Sequence, residues 1–174
     1  VIFNLAGRKN ASAAANGDYR SKATGSWNNT ATWERYNGAA WVPAPSTPVQ
    51  GDGVVTIQSP HTVTFNVTLT IDQVVVNTGA TLMSSGTSIM TIGNSALPVG
   101  SSEMIINGTF MENSTTTIVF NAGATWSFGA NGTLIKTTGT GSNAWQNAYE
   151  GGIATIPATS NWTLRKMGGA NPQI

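Results

Sequence analysis

Three kinds of side chain in this sequence could carry chemistry: one histidine, a few carboxylates and six tryptophans. His61 is the only histidine, so a histidine-based metal site is excluded, and no Ser-His-Asp triad can be read from the spacing. Because His61 follows Pro60 in a predicted turn, we interpret it as a structural residue. The chain has no cysteine, which excludes disulfides, thiolate metal ligands and thiol catalysis.

The regular central part of the chain holds four carboxylates, Asp52, Asp72, Glu103 and Glu112. A glycosidase needs two carboxylates roughly 5 to 10 Å apart in a cleft. Spacing does not exclude such a pair, but Asp52 lies in a Gly-Asp-Gly turn and Asp72 lies beside a strand-like run. Neither the calcium loop D-x-D-x-D-G nor the nonapeptide G-G-x-G-x-D occurs. The sequence therefore predicts no catalytic residue, no cofactor and no metal site.

The tryptophans allow two interpretations. Exposed indoles can stack on the faces of sugar rings, which makes Trp27, Trp33 and Trp41 the candidate ligand-stacking residues. Alternatively, these three rings cover the open end of a repeat fold, where the edge of the core would otherwise meet water. We favour the second interpretation for these three, and we expect Trp126, which follows a turn, to pack.

The distribution of charge excludes several kinds of partner. Only 15 of the 174 residues are charged, and no Lys or Arg lies between Tyr36 and Ile135. Nucleic acids, anionic membrane surfaces and acidic polysaccharides all require cations, so we expect none of them to bind. No apolar run approaches the roughly 20 residues that a membrane span needs, so we expect no membrane insertion.

Composition predicts an all-β fold. Thr, Gly, Asn and Ser make up 77 of the 174 residues, and Val and Ile together number 24 against 6 Leu. Residues branched at Cβ suit pleated strands and lose side-chain freedom in helices, which Gly and Asn interrupt further. A helical bundle or an ordinary α/β enzyme is therefore excluded.

Short β-type runs alternate with a recurring turn. The turn is N-T-G-A-T-L at 77–82, N-G-T-F at 107–110, N-A-G-A-T-W at 121–126 and N-G-T-L at 131–134. In each case Asn and Gly favour the turn, and the Thr-apolar pair that follows restarts a strand. The runs lie at residues 54–57, 63–65, 69–71, 74–76, 88–92, 104–106, 117–120 and 133–135.

Repeated short strands favour a β-solenoid, with coils of about 20 residues stacked on one another. A β-sandwich or jelly roll, which also uses many short strands, is the alternative. We divide the chain into a flexible arm (1–17), an aromatic and proline-rich amino-terminal cap (18–50), the coils (51–140) and a terminal coil or connection to a further domain (141–174).

Several stretches resemble a known family. They are G-S-W-N followed by T-W at 25–33, G-D-G-V-V-T-I at 51–57, H-T-V-T at 61–64 and I-D-Q-V-V-V-N at 71–77. Together they resemble the amino-terminal β-helical region of large surface proteins of Bacteroidetes, many of which are exported by the type IX secretion system. The resemblance implies a parallel, right-handed β-helix in a secreted or cell-surface protein.

The resulting expectation is a non-catalytic, extracellular β-helix module with a role in adhesion or display. Its expected partners are surface glycans or other cell-surface proteins, together with the secretion machinery. The alternative is a carbohydrate-binding or catalytic module of a secreted carbohydrate-active enzyme.

Overall fold

The computed structural model describes residues 13–94, 102–114, 117–121, 124–136, 153–155 and 165–166. Most of the predicted arm and of the predicted terminal segment lies outside these residues. The described part is built from strands, with one short 3-10 helix at Thr30–Thr32, so the all-β class is confirmed. It contains no helix long and apolar enough to cross a membrane.

The segment predicted to form the cap contains four short strands. They are β1 (Tyr19–Ser21), β2 (Gly25–Ser26), β3 (Trp33–Tyr36) and β4 (Trp41–Pro43). Strand β3 pairs antiparallel with both β1 and β4, so β4 forms one edge of its sheet. Pro43 cannot donate a hydrogen bond from its nitrogen, and a proline at an edge discourages the addition of another strand.

Every run predicted from the sequence contains a strand. The remaining strands are β5 (Val55–Ile57), β6 (Thr62–Phe65), β7 (Leu69–Ile71), β8 (Val74–Val76), β9 (Thr81–Gly86), β10 (Ile89–Ile92), β11 (Met104–Ile106), β12 (Thr109–Ser114), β13 (Thr117–Phe120), β14 (Thr125–Phe128), β15 (Thr133–Lys136), β16 (Ile153–Thr155) and β17 (Arg165–Lys166). Strands β9, β12, β14 and β15 begin at the threonine of a predicted turn motif, as expected.

The strands form three sheets by a simple rule. Among β5 to β15, each described pair is parallel and joins a strand to the one three places further along the chain. The last two pairs, β14 with β16 and β15 with β17, are also parallel but lie two places apart. We name the sheets by their strand order: sheet I is β16-β14-β11-β8-β5-β1-β3-β4, sheet II is β17-β15-β12-β9-β6-β2, and sheet III is β13-β10-β7.

Equivalent residues of successive strands stand in register. In sheet II, Thr62 pairs with Thr81, Thr81 with Thr109, and Thr109 with Thr133, so four threonines form one column. The turn that precedes Thr81 closes through a hydrogen bond from Ala80 N to Asn77 O (2.9 Å). For Thr81, Thr109 and Thr133 the column follows from the repeated turn motif, because each of these turns places its threonine at the same position of the sheet.

Alternate side chains of all three sheets meet in one core, as period-two alternation requires. In β5, for example, Val55 and Ile57 are buried while Thr56 is half-buried. Each fully buried Val, Ile or Phe side chain contributes about 1.5–3 kcal/mol. The buried apolar residues are Tyr19, Trp27, Trp33, Ala44, Val55, Ile57, Val63, Phe65, Ile71, Val74, Val76, Ala80, Leu82, Met90, Ile92, Met104, Ile106, Phe110, Ala124, Phe128 and Leu134.

Candidate ligand-binding surface

Two of the three candidate stacking residues lie inside the core. Trp27 is 1% exposed and Trp33 is 0% exposed, and their rings contact edge to face with centroids 5.0 Å apart. Both indole N–H groups are also used internally: Trp27 Nε1 donates to Pro48 O (3.1 Å) and Trp33 Nε1 donates to Trp27 O (2.8 Å). Neither ring therefore presents a face to a ligand.

Trp41, the third candidate, is half-buried and lies in a small aromatic cluster on the outer side of sheet I. Its register partner across the antiparallel ladder is Tyr36, and the two ring centroids are 5.3 Å apart with an interplanar angle of 55°. The guanidinium carbon of Arg20 lies 4.4 Å from the centroid of the Trp41 ring. A cation above an indole face at this distance is attracted to it.

The arginine is also fixed by a carboxylate. Arg20 Nε donates to Glu34 Oε2 (2.8 Å), and Arg20 Nη2 lies 2.8 Å from the same oxygen. Because the pair is partly exposed, it contributes little stability, about 0–1 kcal/mol, but it holds the guanidinium plane in place. We call the group formed by Arg20, Glu34, Tyr36 and Trp41 the Trp41 surface.

Strand alternation explains why these four side chains share a face. Arg20 and Glu34 are register partners, as are Tyr36 and Trp41. The neighbouring residues Tyr19, Ser21 and Trp33 point into the core, so their sequence neighbours must point outward.

Sequence reasoning missed Arg20, Glu34 and Tyr36. Alternation around a buried Trp33 would have placed Glu34 and Tyr36 on the outer face. No feature of the sequence, however, indicated that β3 pairs antiparallel with β1.

His61 is engaged in a partly buried hydrogen-bond chain. Its Nδ1 lies 2.9 Å from Ser21 Oγ, which also accepts a hydrogen bond from Gln58 N (2.9 Å). Ser21 is 0% exposed, so its hydroxyl cannot reach a substrate as a nucleophile. The contact instead joins β1 to the turn between β5 and β6, in agreement with the structural role expected for His61.

Three of the predicted carboxylates lie shortly before strands of sheet I and accept hydrogen bonds from backbone N–H groups. Asp52 Oδ2 accepts from Val49 N (2.9 Å), and Asp72 Oδ2 accepts from Gly51 N (3.3 Å), so both brace the same turn. Glu103 is 3% exposed. The side chain of Glu112 lies outside the described residues. Within the described residues, no three His, Cys, Asp or Glu side chains group in a way that could hold a metal ion.

Glu103 links two successive strands of sheet I. Its Oε2 accepts hydrogen bonds from Thr125 N (2.6 Å) and Thr125 Oγ1 (2.8 Å). This carboxylate immediately precedes β11, and Thr125 begins β14, the parallel neighbour of β11. A buried oxygen that already accepts two hydrogen bonds is a structural acceptor of the fold.

We therefore expect Glu103→Ala to lower the free energy of unfolding by about 1–3 kcal/mol, because it leaves the Thr125 N–H without its acceptor. Urea unfolding followed by circular dichroism measures the change. The matched control is Glu34→Ala, which breaks only the partly exposed ion pair with Arg20 and should cost about 1 kcal/mol at most. Equal effects of the two substitutions would contradict the role given to Glu103.

The side chain of Trp126, which was expected to pack, lies outside the described residues. Comparison of the chain with protein-family models, with curated proteins and with solved structures finds no match, so the resemblance to Bacteroidetes surface proteins stays a prediction.

Proposed function

We propose that the three sheets are the faces of a right-handed parallel β-solenoid, with β1 to β4 as its aromatic cap. The support is the pairing rule: each strand from β5 to β12 joins in parallel with the strand three places further on. A solenoid with three strands per coil produces this pattern, whereas sandwiches and jelly rolls are built from antiparallel neighbours. Antiparallel pairs in the described residues occur only among β1, β3 and β4.

We further propose that the module is non-catalytic and works in adhesion or display on the outer surface of a bacterium. The observation that carries this proposal is the placement of the chemically competent groups. Ser21, His61, Asp52, Asp72 and Glu103 each take part in hydrogen bonds that hold turns or neighbouring strands. The aromatic and charged side chains of the Trp41 surface, in contrast, face outward.

Extracellular location and export by the type IX system belong to the same proposal and rest on the resemblance described above. The proposed partners are surface glycans or other cell-surface proteins, together with the secretion machinery. The low charge of the chain fits such contacts, because a surface with few cations does not attract nucleic acid or anionic lipid.

The test measures retention and turnover on the same sample. Beads coated with the purified chain are passed over immobilised cell envelopes and glycans, and the eluate is assayed for newly released reducing sugar. We expect retention without release. Release that disappears in Glu103→Gln or Glu112→Gln would contradict the proposal and support a catalytic module instead.

A further inference from the structure

We infer that the Trp41 surface is a binding site for a neutral polysaccharide, with one pyranose ring stacked on the exposed part of the Trp41 indole. The inference rests on the proposed adhesive function and names the ligand class and the residues that recognise it. Of the three tryptophans first considered, Trp41 alone is not fully buried, since Trp27 and Trp33 are 1% and 0% exposed.

The surface is ordered before any ligand arrives. The guanidinium carbon of Arg20 lies 4.4 Å from the centroid of the Trp41 ring, and the Tyr36 ring centroid lies 5.3 Å from it. Glu34 Oε2 holds Arg20 through Nε and Nη2, each at 2.8 Å. Rigid aromatic side chains that are already fixed lose little conformational freedom on binding. Trp, Tyr and Arg are also the residue types that most often dominate binding energy at recognition surfaces.

Unused polar atoms surround the ring. A guanidinium has five N–H donors, and within the described part of the chain Glu34 receives hydrogen bonds only on Oε2. In the described residues, Arg20 Nη1, Glu34 Oε1 and the Tyr36 hydroxyl have no hydrogen-bond partner. Sugar hydroxyls both donate and accept, so a ring stacked on the indole would be matched by donors and acceptors at its rim.

The charge balance selects an uncharged ligand. The positive charge of Arg20 is compensated by Glu34 at 2.8 Å, and its face is covered by the indole. No Lys or Arg follows between Tyr36 and Ile135 to bind a uronate carboxylate. Lys22 is exposed just beyond β1, but an acidic polysaccharide would find the charge of Arg20 already compensated and would meet no Lys or Arg on β5, β8 and β11, the strands that follow β1 in sheet I.

The shape of the face favours a chain over a single sugar. Along the register of sheet I, Arg20 is followed by Thr56, Val75 and Ile105, which are all half-buried and uncharged. These positions repeat at about 4.8 Å, so three of them extend the surface by about 14 Å beyond Arg20. The row offers one hydroxyl and two apolar side chains to further rings.

Affinity electrophoresis tests the inference in native gels that contain barley β-glucan, a soluble galactomannan or polygalacturonate. We expect the chain to be retarded by at least one neutral polysaccharide and not by polygalacturonate. Trp41→Ala should weaken binding by about tenfold or more. Tyr36→Phe, which removes one hydroxyl and keeps the ring, should weaken it less. The control Trp33→Phe removes an indole from the core and should leave retardation unchanged in folded protein.

Circular dichroism of each variant establishes that it is folded before its affinity is interpreted. Neutral-glycan binding that survives Trp41→Ala would overturn the site. Retardation by polygalacturonate alone would overturn the ligand class. If no polysaccharide retards the chain while cell envelopes still retain it, this inference fails and the adhesive function stands. If neither binds it, both fail.

Discussion

Replacing Trp33 by alanine is expected to lower the free energy of unfolding by about 3–5 kcal/mol, the usual result of emptying a packed aromatic site. Trp33 is 0% exposed, packs edge to face against Trp27 and donates its indole N–H to Trp27 O at 2.8 Å. The substitution therefore removes a large buried ring and leaves a buried carbonyl without a donor. Urea unfolding measured by far-ultraviolet circular dichroism gives the change.

Trp41→Ala is the matched control, since it removes the same side chain from a half-buried position. Its ring contacts Arg20 and Tyr36 on the outer face, so the loss should be clearly smaller than for Trp33. If Trp33→Ala keeps full stability and loses ligand binding instead, Trp33 is a recognition residue and its assignment to the core is wrong.

Replacing Gly108 by alanine is expected to cost about 3 kcal/mol or more, which lies at the upper end for overpacked sites. Gly108 lies in the two-residue turn between β11 and β12, and its amide donates to Val76 O at 3.0 Å. A Cβ at this position would overlap the carbonyl oxygens of Asn77 and Ala80. These oxygens belong to the backbone of the turn between β8 and β9, so they cannot move aside as the end of a flexible side chain can.

Gly51→Ala separates crowding from backbone conformation. Gly51 has a φ of +87°, and a Cβ there would meet no atom within 4 Å. Gly51→Ala should lower the free energy of unfolding by only about 1–2 kcal/mol, because the one unfavourable effect is an alanine in the left-handed backbone conformation. Thermal melting of both variants provides the comparison. If the Gly108→Ala protein is as stable as the Gly51→Ala protein, the turn at 107–108 does not pack closely on the turn at 77–80.

Local sequence signals were sufficient to predict the strands from β5 to β15, whereas β16 and β17 lie in the segment 141–174, for which no individual strand was predicted. Runs such as residues 74–76 and 104–106 contain β-branched residues between turns, and the threonines at 81, 109 and 133 follow Asn-Gly or Gly-Ala turns. These signals are local because a turn and the residue after it are set by nearby backbone preferences. Stacking of the repeated units was also expected, since short units bury an apolar face only by stacking on one another, and the family resemblance implied that the stacked strands are parallel.

The candidate surface was harder to predict. Which tryptophan is exposed depends on long-range pairing: β3 returns antiparallel onto β1, and β4 then adds to the edge. That order turns Trp33 inward and brings Arg20 beside Trp41. The spacing of residues 20, 34, 36 and 41 in the sequence does not indicate that their side chains are in contact. For the same reason, the hydrogen bond between Ser21 and His61 could not be predicted.

The parallel three-strand repeat underlies both the proposed solenoid and the extended binding face, and cysteine cross-linking tests it directly because the chain has no cysteine of its own. Thr81 and Thr109 are register partners, so their Cα atoms should lie about 5 Å apart, within disulfide range. Thr62 and Thr109 are two strands apart in the same column, at about 10 Å, which is too far. Titration of free thiols after mild oxidation should show a closed disulfide in the double variant Thr81→Cys, Thr109→Cys and free thiols in Thr62→Cys, Thr109→Cys. The reverse result would contradict the parallel repeat.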